Sequence, residues 1–116
     1  MAFYKSHRMA DLDAAHSAPC VQVPVVMAGC KQVLAVGKPV RTVANGFNSG
    51  HILPPPPPVG CKFHIGFPNR GSETVFAQGT PVIRVLDAIE GSCCGTGAGI
   101  PCTRADYAAQ GTVFFG

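Results

Sequence analysis

The chain has no tryptophan, and Asp, Glu, Lys and Arg make up only 13% of its 116 residues, against about 25% in an ordinary globular domain. With 47% of residues apolar, this scarcity of charge excludes a solvated, disordered tail, which would combine low hydrophobicity with high charge. Lys and Arg never form a run, and the net charge of +3 comes from 9 basic and 6 acidic residues scattered along the chain. Without a basic patch or interleaved aromatics, nucleic-acid binding is not expected. No apolar stretch approaches the ~18 residues of a membrane-spanning helix. Residues 1–13 are polar with no apolar core, so no secretory signal is expected and synthesis is expected in the cytoplasm.

Long helices are also unexpected, because 14 glycines and 11 prolines occupy more than a fifth of the chain and both disfavour helix interiors. Short strands and turns should dominate. A small β-rich chain buries a modest fraction of its surface and often needs a staple; its 6 cysteines and 4 histidines are the candidates.

What the chain does have is an internal repeat. Residues 29–43 align with residues 71–85 with seven identities in fifteen, at Gly, Val, Ala, Gly, Pro, Val and Val. A shorter third copy closes the chain, where Thr112-Val113-Phe114 repeats Thr74-Val75-Phe76, and it reads as half a repeat. Each full copy has an apolar β-branched run, then Gly-x-Pro, then a second apolar run, the composition of a β-hairpin with a glycine-containing connection. Pro39 and Pro81 cannot donate to a ladder, which places them at the turn or at a strand's first position. Residues 21–27 are a candidate for one more strand, and residues 103–110, a weak candidate for one or two helical turns, are placed in a loop. Residues 1–15 read as an N-terminal segment ahead of a domain spanning 16–116.

Long stretches without a clear pattern, residues 45–70 and 87–108, separate the copies. They far exceed the ~4 to 6 residues of an ordinary connection. The first contains five consecutive prolines at 54–58, which favour a stiff polyproline spacer over a ligand for a proline-binding module. These stretches also carry His51, Cys61, His64, Cys93 and Cys94, and His16 precedes the first strands. Imidazole and thiolate donors converging from separate segments suit tetrahedral zinc. No zinc-finger spacing is present, although Cys61-x-x-His64 is one possible half. His7, in the polar N-terminal segment, is read as a solvated side chain.

Two other uses of the cysteines compete with metal binding. Six could form a disulfide framework of 15 possible connectivities, which cytoplasmic synthesis disfavours during folding; adjacent Cys93 and Cys94 do not readily pair with each other. Cys61, His64 and Asp87 could be assembled into a nucleophile, base and orienting acid, but nothing in their spacing favours it, and an enzyme is not expected. Gly95-Thr96-Gly97-Ala98-Gly99 lacks the strand, helix and lysine of a phosphate loop and reads as a flexible loop.

The repeated Gly37-Lys38-Pro39-Val40-Arg41 and Gly79-Thr80-Pro81-Val82-Ile83-Arg84, with the terminal Gly111-Thr112-Val113-Phe114-Phe115-Gly116, resemble the motif of the PAAR-repeat family. The second copy keeps the family's Pro-to-Arg spacing, and in the first the arginine comes one residue early. The resemblance implies an all-β cone of three short β-rich repeats around a pseudo-threefold axis, with a metal-stapled apex and few or no helices. Such proteins cap a homotrimeric β-helical spike, one tip chain per trimer, in contractile phage tails or type VI secretion systems. The implied location is the baseplate spike tip of a virion or a secretion-system spike, the partners are that trimer and, transiently, a target membrane, and no catalytic residues are implied. By position the metal ligands would be His16, His51, His64 and Cys94, with Cys93 competing for the last place, and the ion would be zinc, with iron as the alternative. A monomer that caps a homotrimer faces a symmetry mismatch, which internal repetition resolves.

Overall fold

The computed structural model describes residues 3–14, 23–53, 62–89 and 103–116, with the backbone alone at 51–53, 62–64 and 103. These residues are all-β, with eleven short strands and no helix among them.

Both full repeats form hairpins. Strand β3 (Cys30–Ala35) pairs with β4 (Lys38–Val40), and β7 (Phe76–Ala77) pairs with β8 (Thr80–Pro81). The turns fall earlier than the Gly-x-Pro pattern suggested: the connecting residues are Val36-Gly37 at φ 50° and 78°, and Gln78-Gly79 at φ 52° and 79°. Two successive positive φ values define the tight hairpin turn whose twist matches the flanking strands. Pro39 and Pro81 therefore sit second in their strands rather than in the turn. Each uses its carbonyl, Pro39 accepting from the Met9 N–H at 2.9 Å and Pro81 from the Val43 N–H at 3.0 Å, so the missing N–H breaks no ladder bond.

The third copy supplies a single strand, as half a repeat would. Strand β11 (Phe114–Phe115) pairs with β1 (Tyr4–Lys5), setting Tyr4 opposite Phe115 and Lys5 opposite Phe114. That register matches Thr80 opposite Ala77 and Pro81 opposite Phe76 in the second hairpin. Residues from the N-terminal segment thus supply the strand that the closing copy lacked.

The two hairpins and the β1–β11 pair join through a closed cycle. Antiparallel bridges link Arg8 to Val40, Thr42 to Val82 and Ser6 to Arg84. Within the cycle the His7 N–H donates to the Ile83 carbonyl at 3.1 Å, Ile83 donates to Arg41 at 2.8 Å, and Arg41 donates back to His7 at 3.0 Å. Because side chains alternate along each segment, residues 6, 40 and 82 face one side of this triangle and residues 7, 41 and 83 the other. On the first side lies a cluster of Cys30, Ala35, Val40, Ala77 and Val82, with Val33, Val75, Val113 and Phe115 packed on it. On the second, Ile83, Ile89 and Ala105 form a smaller cluster with Val43.

Two further readings change. Residues 103–110, placed in a loop, contain strand β10 (Thr103–Tyr107), which lies between β2 (Leu12–Asp13) and β9 (Ala88–Ile89). Buried Ala105 between exposed Arg104 and Asp106 is the period-2 alternation of a half-buried strand. Among the described residues of 21–27, Val25 and Val26 make single bridges to Leu12 and Asn48 instead of a strand. The stretch 45–70 also carries a ladder, β5 (His51–Leu53) against β6 (Lys62–His64).

Candidate functional site

Three features could carry function: equivalent exposed positions on the hairpins, the polar side of the triangle, and the β5–β6 ladder.

On each hairpin one large apolar side chain points away from the core. Leu34, Phe76 and Phe114 occupy the same place in β3, β7 and β11, and are 57%, 55% and 46% exposed. Single exposed apolar residues are ordinary. Three at equivalent positions of the three units are a repeated exposed feature, and the inward places on either side are filled by Val33, Val75 and Val113 and by Ala35, Ala77 and Phe115.

The second side of the triangle is polar and closed to solvent. Arg41, at the position equivalent to His7 and Ile83, is 0% exposed. Its guanidinium donates to both oxygens of Asp13, at 2.5 and 3.0 Å, and through Nε to the Gly46 carbonyl at 2.7 Å. Asn48 Nδ2 donates to the same Asp13 carboxylate at 2.9 Å, and Asn48 Oδ1 accepts from the Gly66 N–H at 2.6 Å. His7 lies 3.1 Å from Arg41 through Nδ1 and 2.9 Å from the Leu12 carbonyl through Nε2. A carbonyl only accepts and a guanidinium only donates, so Nε2 carries the proton, Nδ1 accepts, and the imidazole is neutral. Burial first, and then the Arg41 charge, push its pKa below the ordinary value, against opposing pulls from Asp13, the Leu12 carbonyl and Asp11. The expectation of a solvated His7 is overturned: its side chain is buried and bonded at both nitrogens. Gly46 is required beside it, because a Cβ there would lie 2.4 Å from Arg41 Cγ. With every polar atom of the Arg41–Asp13 pair turned inward, this network is a structural crosslink.

Two turns flanking the triangle share one arrangement. Arg8 and Arg84 each donate N–H and Nε to one oxygen of the aspartate three residues on, and Nη2 to the other. The intervening Ala10 and Leu86 have φ 74° and 83°. Arg84 is therefore the partner of Arg8 in the repeat, and the early arginine of the first copy, Arg41, is not a displaced equivalent but the buried centre of the polar side. The sequence signal was an Arg-x-x-Asp spacing at both 8–11 and 84–87, which the comparison of residues 29–43 with 71–85 did not reach.

Of the sequence-assigned metal ligands, His51 and His64 are directly opposite in the β5–β6 ladder, a relation that keeps Cα atoms about 4.5 to 5.5 Å apart. His16, Cys93 and Cys94 lie outside the described residues, as do the glycine-rich loop at 95–99 and the five prolines. Among the described residues no group of three His, Cys, Asp or Glu side chains is gathered to hold an ion. Cys30 is buried with a free thiol and sits 3.7 Å from Gln32 Oε1; the other cysteines lie outside the described residues.

No family model matches the chain, and no curated protein is significantly similar to it.

Proposed function

We propose that the protein is the structural tip of a membrane-puncturing spike, capping the end of a homotrimeric β-helical spike protein of a contractile phage tail, one tip chain per trimer, and sharpening it for penetration of a bacterial envelope. The observation that carries the reading is the closed cycle of bridges that joins two hairpins and the β1–β11 pair, each bearing an exposed apolar residue at the same place. A single chain with a pseudo-threefold axis gives each of three identical subunits a similar contact, and Leu34, Phe76 and Phe114 are the side chains for that contact. A type VI secretion spike would use the same geometry. The role is mechanical, with no reaction assigned.

Zinc fits this reading, with iron as the alternative. The register of β5 and β6 sets two imidazole-bearing residues opposite each other, and His16, His51, His64 and Cys94 would complete a nitrogen and sulfur donor set that suits the ion. Bound there, the ion would crosslink segments at the narrow end, where few residues remain to form an apolar core.

Co-expression with a trimeric spike protein tests the reading. Light scattering on the purified complex should give one tip per three spike chains. Replacing Leu34, Phe76 and Phe114 together by Lys should abolish the complex while the tip stays folded. A wild-type tip that does not associate, or that associates in another ratio, overturns the proposal. Metal analysis should find one ion per chain, lost when His51 and His64 are replaced by Ala.

A further inference from the structure

Each unit of the cycle turns as it leaves the triangle, and the residue that closes the turn differs in one of them. The bridges of the cycle make residues 8, 42 and 84 equivalent. In each unit the N–H three residues on donates to the carbonyl of that residue: Asp11 to Arg8 at 3.1 Å, Asn45 to Thr42 at 3.3 Å and Asp87 to Arg84 at 3.0 Å. Two of the closing residues are aspartates, followed by Leu12 and Ala88. The third is an asparagine followed by glycine, whereas the other asparagines of the chain, Asn48 and Asn69, precede Ser49 and Arg70.

The side-chain amide of an asparagine is open to attack by the backbone nitrogen of the next residue, and a side chain on that next residue obstructs the approach. Gly46 offers no obstruction. The structure admits nothing larger there, because a Cβ would collide with Arg41 Cγ and lie 2.8 Å from the Thr42 carbonyl oxygen. Packing against the buried Arg41 therefore fixes the Asn-Gly junction. The electrophile meets water, since Asn45 is exposed. Among the described residues the Gly46 N–H has no acceptor, so no hydrogen bond has to break before its nitrogen attacks. Thr42 holds the Asn45 N–H and carbonyl, which leaves the junction with Gly46 untied. Asn45 Nδ2, the leaving group, donates to the Gly29 carbonyl at 2.9 Å, and the Gly46 carbonyl accepts from Arg41 Nε at 2.7 Å.

We propose that Asn45-Gly46 is a self-modification site, at which the folded protein deamidates and so loosens the buried Arg41–Asp13 crosslink. The Gly46 nitrogen bonds to Asn45 Cγ and the Cγ–Nδ2 bond breaks. The proton of the Gly46 N–H departs with Nδ2 as ammonia, and a five-membered succinimide remains. Water opens the ring at either carbonyl: cleavage at Cγ gives aspartate, and cleavage at the main-chain carbonyl carbon gives isoaspartate. Water is consumed and ammonia released, with no oxidant or reductant. Both products lose the Nδ2 donor to the Gly29 carbonyl and place a carboxylate in its stead. Isoaspartate also lengthens the main chain by one carbon immediately before Gly46, whose carbonyl Arg41 Nε holds. A change at an exposed side chain is thus passed to a guanidinium with no exposure of its own. The inference stands apart from the spike reading, since it needs only this junction and its contacts.

The test incubates the full chain in warm, mildly alkaline buffer beside a denatured sample of the same chain. Both are digested and mapped by mass spectrometry, with fragmentation that separates aspartate from isoaspartate. Conversion at Asn45 in the folded chain is expected within about threefold of the denatured sample, and about tenfold or more faster than at Asn48 and Asn69, whose following residues carry side chains. In NMR of isotopically labelled protein, the Arg41 Nε proton should exchange with solvent faster in the modified fraction than in the unmodified one. Asn45→Gln, which would have to close a six-membered ring, should stay intact. A folded chain that keeps Asn45 through complete conversion of the denatured sample overturns the proposal, and so does equal exchange at Arg41 Nε in modified and unmodified protein. Both readouts use the wild-type chain without a trimeric spike, so a negative result leaves the tip reading standing, and failure of the tip to bind a trimer leaves this one standing.

Discussion

The two sides of the central triangle follow opposite rules. On one, the three two-stranded units present nearly the same residues: Val33, Val75 and Val113 at one level, and Val40 and Val82 at another, where Ser6 departs. On the other, equivalent positions hold His7, Arg41 and Ile83, three side chains with nothing in common. Repetition is kept where all three units pack in the same way. It is abandoned where His7 and Arg41 bond to Leu12 and Asp13 of β2 while Ile83 packs with Ile89 and Ala105. A uniform side can be filled by non-directional apolar contact, whereas the irregular side is organised by directional bonds to one carboxylate. The difference teaches that the repeat is a solution for one surface of the molecule, not for the whole of it.

The sharpest way to break the comparison is Asp13→Asn, which leaves the buried Arg41 charge uncompensated. A loss of about 3 to 5 kcal/mol in chemical denaturation is expected; a loss no larger than that of a surface substitution would mean the polar side does not hold the triangle together.

The second test is pH. His7 titrates below its ordinary value in the folded protein, so between that ordinary value of 6.5 and its lower folded value the unfolded chain binds the extra proton. Stability is therefore unaffected by His7 above 6.5 and falls as the pH drops into this window, by up to about 1.4 kcal/mol per pH unit for one proton. Denaturation of the His7→Gln variant between neutral and mildly acid pH should show a shallower slope than wild type, and an equal slope would remove His7 from the account.

Ser6 tests the apolar side. It sits where the other units carry Val40 and Val82, it is fully buried, and its hydroxyl is the one buried side-chain oxygen or nitrogen without a partner among the described residues. Ser6→Ala should gain about 1 kcal/mol by removing an unsatisfied group, read as a higher denaturation midpoint. The smallest expected effect separates the two full hairpins. Val36 and Gln78 hold nearly the same positive φ, which a β-branched residue tolerates worst, so Val36→Asn should gain about 0.5 kcal/mol and Gln78→Asn less. Equal midpoint shifts would show that branching is immaterial at this turn.

The apolar side was largely legible in the sequence, because its repeat is local. Alternating valines and a glycine-containing turn recur 42 residues apart, and each hairpin closes within its own fifteen residues. The part played by residues of the N-terminal segment was not legible because their partners are far away in the chain. Tyr4 and Lys5 have no apolar period of their own, and become strand only against Phe115 and Phe114. The same holds for His7 and Arg41, which composition places at the surface and which are buried only because Asp13 and Asn48, themselves polar, are folded over them. Arg8-x-x-Asp11 and Arg84-x-x-Asp87 carried the missing equivalence in plain view. Their significance is backbone chemistry, a carboxylate bonding to an N–H three residues earlier, which hydrophobic patterning does not register. Strand β10 escaped for a related reason: among its residues with described side chains the buried one, Ala105, is too small to announce a core face.

The pairing of β1 with β11 has a consequence for folding. It joins residues more than a hundred positions apart, whereas each full hairpin turns back on itself within two residues. The two hairpins can therefore form locally, but Tyr4 and Lys5 gain a strand partner only when the chain brings Phe114 and Phe115 to them, and contacts of such long range slow closure. Until those strands meet, the third unit of the ring is an open clasp.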